Sequence, residues 1–331
     1  MMIEKIWLTR SWLSILILPC SILYGIIILL RQLCYQLKIL PSWKAPIPII
    51  VVGNLTVGGN GKTPLVIWLV KKLLSKGYRV GVISRGYGGK ANSYPLLLNK
   101  KISIKESGDE PALIYWRTGV PVIVSPNRVI AVKMLLSKQK LDFIISDDGL
   151  QHYTLQRDFE IVVIDGTRRF GNGWLLPAGP LREYKYRLKN VNAIIINDGI
   201  TKHDEIAMQL IGDIAINLLT GEKKSVLELN QVIAIAGIGN PARFFLSLKK
   251  KGVQLIATYS FSDHQLYKFS TLSHLVNDNQ ILLMTEKDGV KCFHFAQFNW
   301  WYLPVNAKLS KPGAKKILSE IISLTKFNRI N

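Results

Sequence analysis

No segment constrains this chain more than the octet Thr56-Val57-Gly58-Gly59-Asn60-Gly61-Lys62-Thr63. Before it stands an apolar run, Ile47 to Val52, with the character of a buried strand. After it, Pro64 to Val70 reads as a helix start with proline in the first turn. Strand, glycine-rich turn and helix are the context a phosphate-binding loop requires. Glycines let the backbone approach a phosphate with its N–H groups turned inward, and the helix N-terminus adds partial positive charge. In that arrangement Lys62 reaches the outer phosphates and the Thr63 hydroxyl binds Mg²⁺. The general pattern G-x-x-x-x-G-K-[ST] has glycine where Thr56 stands; Gly53, Gly58 and Gly59 supply the flexibility instead.

Downstream, apolar strands alternate with helices. A helix is expected from Pro64 to Lys76, a strand at Tyr78–Ser84, a strand at 120–124 and a helix at 127–138. Further strands are expected at 142–148, 159–165 and 193–197. Continuous apolar strands between helices predict an α/β fold with a mostly parallel sheet covered on both faces. A second α/β pattern starts near Gln231, with strands at 232–236, 254–258, 281–284 and 300–303 and a final basic helix at about 312–326. Gly237-Ile238-Gly239 lacks the third glycine of a dinucleotide fingerprint and reads as a tight turn. The expected organisation is an N-terminal membrane-anchoring helix (1–31), a P-loop core (32–225) and a smaller α/β domain (226–331) closing over the active site. The final helix is free to pack back on the core.

The formal charge is +21, from 43 Lys plus Arg against 22 Asp plus Glu. An anionic partner follows: nucleic acid, an anionic membrane face or a phosphorylated substrate. Three cysteines without C-x-x-C spacing give neither a disulfide framework nor a zinc signature. Ser11 to Leu30 is uncharged for twenty residues, between Arg10 and Arg31. A helix of that length spans roughly 30 Å, the depth of a bilayer core. Spanning the membrane, lying in its interface and packing inside a soluble domain are three distinct fates for it. Lys5 and Arg10 before the run and Arg31, Lys38 and Lys44 after it set no orientation.

Asp147-Asp148-Gly149-Leu150-Gln151-His152 follows an apolar strand, and an acid there is the Walker-B arrangement that holds Mg²⁺. Adjacent acids on a strand face opposite sides, so one can meet the metal while the other does something else. Asp109, in Gly108-Asp109-Glu110-Pro111, suits an N-cap as well as a base. His264, in Phe261-Ser262-Asp263-His264, can join a carboxylate from another segment to take a proton from an attacking hydroxyl. Arg85, Arg128 and Arg182 lie in short loops near glycine or proline, where a guanidinium fork suits phosphate oxygens. The basic, aromatic-interleaved run 182–189 fits nucleic acid, lipid phosphate or plain water.

Taken together, these segments resemble the bacterial tetraacyldisaccharide 4′-kinases. The resemblance rests on Gly53 to Pro64, Ser84-Arg85-Gly86-Tyr87-Gly88, Gly108-Asp109-Glu110-Pro111 and Asp147 to His152. It extends to Leu176-Pro177-Ala178-Gly179-Pro180-Leu181-Arg182-Glu183, Phe261-Ser262-Asp263-His264 and Thr285-Glu286-Lys287-Asp288. Thr56 in place of glycine belongs to that family's pattern. The resemblance implies an inner-membrane kinase facing the cytoplasm. Such an enzyme moves the γ-phosphoryl of ATP to the 4′-hydroxyl of an acylated glucosamine disaccharide 1-phosphate, with no nucleic acid partner. It implies that Thr56 to Thr63 hold ATP and that Thr63, Asp147, Asp148 and Gln151 hold Mg²⁺. Asp109 and His264 become the base and its partner. Arg128 and Arg182 join Lys62 in the catalytic set, and Arg85 and His152 line the substrate. The alternative is a membrane-attached P-loop switch or targeting ATPase or GTPase. It lacks a guanine-selecting N-K-x-D or T-K-x-D element, since Thr285-Glu286-Lys287-Asp288 has similar residues in another order.

Overall fold

The computed structural model describes Trp7 and residues 12–99 and 102–327. Lys5, Arg10 and Ser11, which flank or begin the apolar run, lie outside the described residues. Nine strands form the larger sheet: β1 (Ile49–Gly53), β2 (Val80–Ser84), β3 (Leu96–Leu97), β4 (Val122–Val124), β5 (Phe143–Asp147), β6 (Phe159–Asp165), β7 (Ala193–Asn197), β8 (Glu205–Ile211) and β15 (Asn306–Leu309). Their order is β15-β8-β7-β6-β1-β5-β2-β4-β3. Only the edge strands β3 and β15 run antiparallel to their neighbours. The smaller sheet contains β9 (Ile214–Asn217), β10 (Lys223–Ser225), β11 (Val232–Ala236), β12 (Leu255–Ser260), β13 (Ile281–Thr285) and β14 (Trp300–Leu303), ordered β10-β9-β14-β13-β11-β12.

These memberships shift the expected division at 225/226. Strands β9 and β10 already belong to the smaller sheet, pairing through β14. Strand β15 and the helix Lys311–Phe327 return to the larger one. Ile317 and Ile321 are fully buried in the larger core beside Leu65, Leu69 and Ile114. The reason is apolar coverage: one face of the larger sheet takes the helices Lys62–Leu74, Asp109–Thr118 and Lys311–Phe327. The other takes the helix Arg128–Lys138 through Ala131, Val132 and Leu135. The smaller sheet is sandwiched between Phe244, Phe245 and Leu248 on one face and Tyr267, Leu272 and Cys292 on the other.

Strand β1 lies between β5 and β6, where the strand order reverses. In open α/β sheets ligands bind outside the carboxyl ends of the strands at such a switch point. The strands ending there deliver Ser84, Asp147, Asp165 and Asn197, all buried.

The apolar N-terminal segment folds as two helices, Trp12–Leu16 and Leu18–Gln36. Its buried residues are small or polar: Ser14 in the first helix, and Ser21, Gly25 and Gln32 in the second, the last three spaced so that they share one helical face. The Ala178 amide donates to the Ser21 hydroxyl at 2.9 Å, and the Tyr24 hydroxyl donates to the Arg182 carbonyl at 3.1 Å. The Tyr186 hydroxyl donates to Gln32 Oε1 at 2.6 Å. At Gly25 an added Cβ would stand 2.2 Å from the Tyr184 hydroxyl and 2.8 Å from Leu175, so a side chain there would have to displace both. The opposite face exposes Ile15, Leu16, Ile22, Leu23, Ile26, Ile27, Leu30 and Leu33. This helix is therefore not the interior helix of a soluble core: its polar stripe faces protein and its apolar face is open.

Candidate active site

The phosphate loop leaves β1 at Gly53 and enters its helix through Gly61, whose φ of 91° is left-handed. A Cβ at Gly61 would also stand 2.6 Å from the Asn197 amide nitrogen, so the position excludes side chains twice over. Asn60 donates to the Thr56 hydroxyl at 2.9 Å, and Asn197 donates to the Asn60 carbonyl at 3.1 Å. Thr56 thus pins the loop from within, which gives the replacement of glycine there a physical reason. Val57 N–H donates to the Pro180 carbonyl and Arg182 N–H to the Leu55 carbonyl, at 2.9 and 2.7 Å. These bonds zip the loop to the segment that carries Arg182.

The two adjacent acids do separate. Asp147 ends β5 and is buried, with Oδ2 accepting from Ser84 Oγ at 3.4 Å and Oδ1 without a hydrogen-bond partner. Burial, with help from Glu110 and Asp148, raises its pKa to about 7. Asp148 turns out of the strand with φ 48° and meets Lys62 Nζ at 3.4 Å and Arg182 Nη1 at 3.1 Å. Burial pushes the Asp148 carboxyl up, but Lys62 and Arg182 outweigh it and hold the pKa near about 2.

Arg128 is the first residue of a helix capped by Asn127 Oδ1, and it is buried. Its guanidinium donates to the Ser125 carbonyl at 2.9 Å and the Asp147 carbonyl at 3.0 Å, tying the ends of β4 and β5 together. Burial lowers its pKa to about 10. The Arg128 N–H donates to His152 Nε2 at 3.3 Å, so that ring is neutral; burial, then Arg128, lowers its pKa to about 4. Gln151 donates to the Asn54 carbonyl at 3.2 Å, at the root of the phosphate loop. Arg85 is exposed just beyond β2. Thr63 is buried in the first turn of the loop's helix.

Asp109 is not an N-cap. Gly108, at φ 84°, occupies that place, and Asp109 Oδ1 instead accepts from His264 Nδ1 at 2.8 Å. His264 comes from the loop after β12, so the contact joins the two sheets. Burial works against the Asp109 carboxylate, but the His264 hydrogen bond and Lys287 overcome it and lower its pKa to about 2. The same hydrogen bond raises the pKa of His264 against the opposing effect of burial. Lys287 Nζ lies 2.6 Å from Glu110 Oε1, and Arg117 Nη1 2.5 Å from Glu286 Oε1. Thr285-Glu286-Lys287-Asp288 is thus bolted along the helix Asp109–Thr118.

Several residues of this region were not legible as parts of it. Asn197 ends an apolar strand with an amide, the one signal that it does more than pair. Arg168 Nη2 donates to the Gly59 carbonyl at 3.3 Å while pairing with Asp165. Arg243 pairs with both Asp165 and Asp198. The turn at Gly237–Gly239 comes from the other sheet and rests on the phosphate loop: a Cβ at Gly239 would lie 3.5 Å from the Gly59 nitrogen.

Known proteins share this fold. A family model described as tetraacyldisaccharide-1-P 4'-kinase, LpxK, matches residues 13–323. The crystal structure of LpxK from Aquifex aeolicus in complex with ATP superposes with a TM-score of 0.80 at 30% identity, covering 95% of this chain and 99% of that one. The signal recognition particle receptor FtsY from Elizabethkingia anophelis is matched at 18% identity over 48% of this chain and 52% of that one. The TM-score of that match is 0.29. The chain belongs to the tetraacyldisaccharide-1-P 4'-kinase family and is an ATP-dependent lipid A 4′-kinase.

Proposed function

We propose that the family reaction is carried by the residues gathered at the carboxyl ends of the larger sheet, with His264 and Asp109 acting as one unit. The 2.8 Å contact between them is the observation that carries this assignment. Asp109, buried, holds Nδ1; the His264 side chain is 21% exposed, and its Nε2, 3.6 Å from Asp263 Oδ2, is the nitrogen left to meet the acceptor. His264 Nε2 takes the proton of the 4′-hydroxyl as its oxygen attacks the γ-phosphorus, and the bond to the β,γ-bridging oxygen breaks. Asp109 stabilises the imidazolium that results. The acceptor is the lipid disaccharide 1-phosphate of the family.

Lys62 and the N–H groups of the loop receive the β- and γ-phosphates. Lys62 is held by Asp148, which also holds Arg182. Incoming phosphate oxygens compete with that carboxylate, so both cations are aimed in advance. Arg85, exposed at the rim, suits the anionic lipid acceptor, and His152 fixes the Arg128 backbone.

The donor set fits Mg²⁺. Asp147 Oδ1 is a buried carboxylate oxygen without a partner, Thr63 is buried in the first turn of the loop's helix, and Gln151 bonds to the Asn54 carbonyl at the loop's root. Among the described residues no group of three or more His, Cys, Asp or Glu could hold a metal. When bound, Mg²⁺ neutralises charge on those phosphates.

The open apolar face of the helix Leu18–Gln36 supports attachment to the cytoplasmic face of the inner membrane. Its contacts with the body run from Ser21 to Gln32, so a transverse span would carry the body into the bilayer. Lying in the interface, as a monotopic helix does, meets both demands.

The deciding experiment is transfer of label from γ-³²P-ATP to detergent-dispersed tetraacyl disaccharide 1-phosphate, with Lys62→Ala alongside. Labelled lipid that vanishes in the variant supports the assignment. ATP or GTP hydrolysis without lipid labelling would favour the nucleotide switch instead.

A further inference from the structure

Behind the Asp109–His264 pair stands a buried cation. Lys291, in the last turn of the helix Glu286–Cys292, has a side chain 1% exposed. Its Nζ lies 3.1 Å from Asp288 Oδ1 and 3.8 Å from Asp109 Oδ2, and 5.4 Å from the centre of the Tyr267 ring. Asp109 Oδ1 is engaged by His264, whereas Asp109 Oδ2 is buried without a hydrogen bond. Lys291 faces that oxygen, and Lys287 is a second cation whose charge acts on the same carboxyl. Asp288, fully buried, also accepts from Gly237 N–H at 3.0 Å, Thr285 Oγ at 2.6 Å and the Tyr267 hydroxyl at 2.8 Å. Gly237 begins the turn that rests on the phosphate loop.

We infer that Lys291 is a positioning residue for phosphoryl transfer, balancing the charge of Asp109 so that His264 is left free to accept a proton. It also links that pair, through Asp288 and Gly237, to the turn against the phosphate loop.

The charge count shows why. With His264 neutral, Asp109, Asp288 and Lys291 sum to −1. Taking the acceptor proton brings the cluster to zero. Without Lys291 the starting charge is −2, and His264 holds its proton more tightly. The other charged groups facing the cluster are Lys287 and Glu110 beside Asp109, and Asp263 beside His264 Nε2 at 3.6 Å. Tyr267 and Cys292 near Asp288 stay uncharged, because burial pushes both pKa values up.

The inference rests on the base pair assigned above. The test is kcat against pH, from 6 to 9.5, for the full-length enzyme with the radiolabelled lipid assay. Lys291→Met moves the acid limb up by about one pH unit, costs about tenfold at pH 7, recovers at high pH and leaves the KM for ATP alone. Lys291→Arg keeps the wild-type limb. Lys291→Met adds nothing to Asp109→Asn. An unmoved limb, or a full further loss in the Asp109→Asn background, overturns the inference. Should Lys291→Met fail to fold, Asp288→Asn serves: it removes a negative charge, so the limb moves down, and an unmoved limb is again fatal. If Asp109→Asn and His264→Asn leave turnover intact, the base assignment itself is wrong, an outcome distinct from an unmoved Lys291 limb.

Discussion

His264 Nδ1 and Asp109 Oδ1 meet at 2.8 Å across the two sheets, although 155 residues separate them in the chain. The histidine stands in a left-handed backbone conformation, φ 61°, with its ring against that of Tyr87 at 5.1 Å. A Cβ on Gly88 would fall 3.6 Å from the imidazole. Residues packed on the two sheets thus supply one half each of the pair proposed to accept the proton.

Asp109→Asn and His264→Asn each lower kcat by about two to four orders of magnitude, with a much smaller effect on the KM for ATP. Asp109 raises the pKa of His264, and the imidazole must be neutral to accept a proton. Activity therefore falls as pH drops through that raised value. In Asp109→Asn the limb moves to lower pH, under a lower plateau. A kcat profile against pH checks both statements.

The same pair makes the stability of the folded protein depend on pH. The Asp109 pKa is depressed from 3.8 to about 2, so its contribution is present above 3.8 and lost as pH falls toward 2. The His264 pKa is raised from 6.5, so its contribution is present below 6.5 and lost as pH rises through the folded value. Their overlap lies between pH 4 and 6.5. His264→Ala accordingly lowers Tm more at pH 6 than at pH 9, as differential scanning at the two pH values would show. An equal loss at both would contradict the linkage.

Lys62→Ala removes the cation that Asp148 holds ready at 3.4 Å. Label transfer falls by about two to three orders of magnitude. Asp148 keeps Arg182 as a partner, so the fold survives, and an unchanged Tm beside lost transfer is the expected result.

Gly25→Val drives a side chain into Tyr184 and Leu175 and unseats the helix from the segment that bears Arg182. The KM for lipid rises while nucleotide affinity holds, which initial rates with each substrate varied would separate.

Ile22, Ile26 and Leu30 share the open face of that helix. Changing all three to Ser weakens partition onto anionic vesicles by at least about tenfold, at high salt as well as low. Sedimentation at both salt concentrations measures it. Loss at high salt alone would place the attraction in the basic residues instead.

The phosphate loop, the α/β class, strands β6, β7, β11 and β14 and the acids at 147 and 148 were legible because each depends on local chemistry. Apolar runs of strand length, glycine where φ must be positive, and acids after a strand are written in consecutive residues. Strands β8, β9, β10 and β15 were not read. Glu205–Ile211 has only a mixed burial pattern, and Lys223–Ser225 and Asn306–Leu309 are short edge strands. Edge strands owe their existence to a neighbour's free N–H and C=O groups rather than to their own hydrophobicity.

By itself the sequence determined the α/β class, the glycine-rich loop and which side chains are available for phosphate, acid and arginine chemistry, since side-chain type and backbone freedom are properties of each residue. Tertiary structure alone decided which of them meet. It made Asp109 a partner of His264 rather than a helix cap, set Arg128 to bind backbone carbonyls, and turned the polar stripe of the N-terminal helix inward. Each depends on surfaces that are distant along the chain and adjoin only after the sheets have buried their apolar faces.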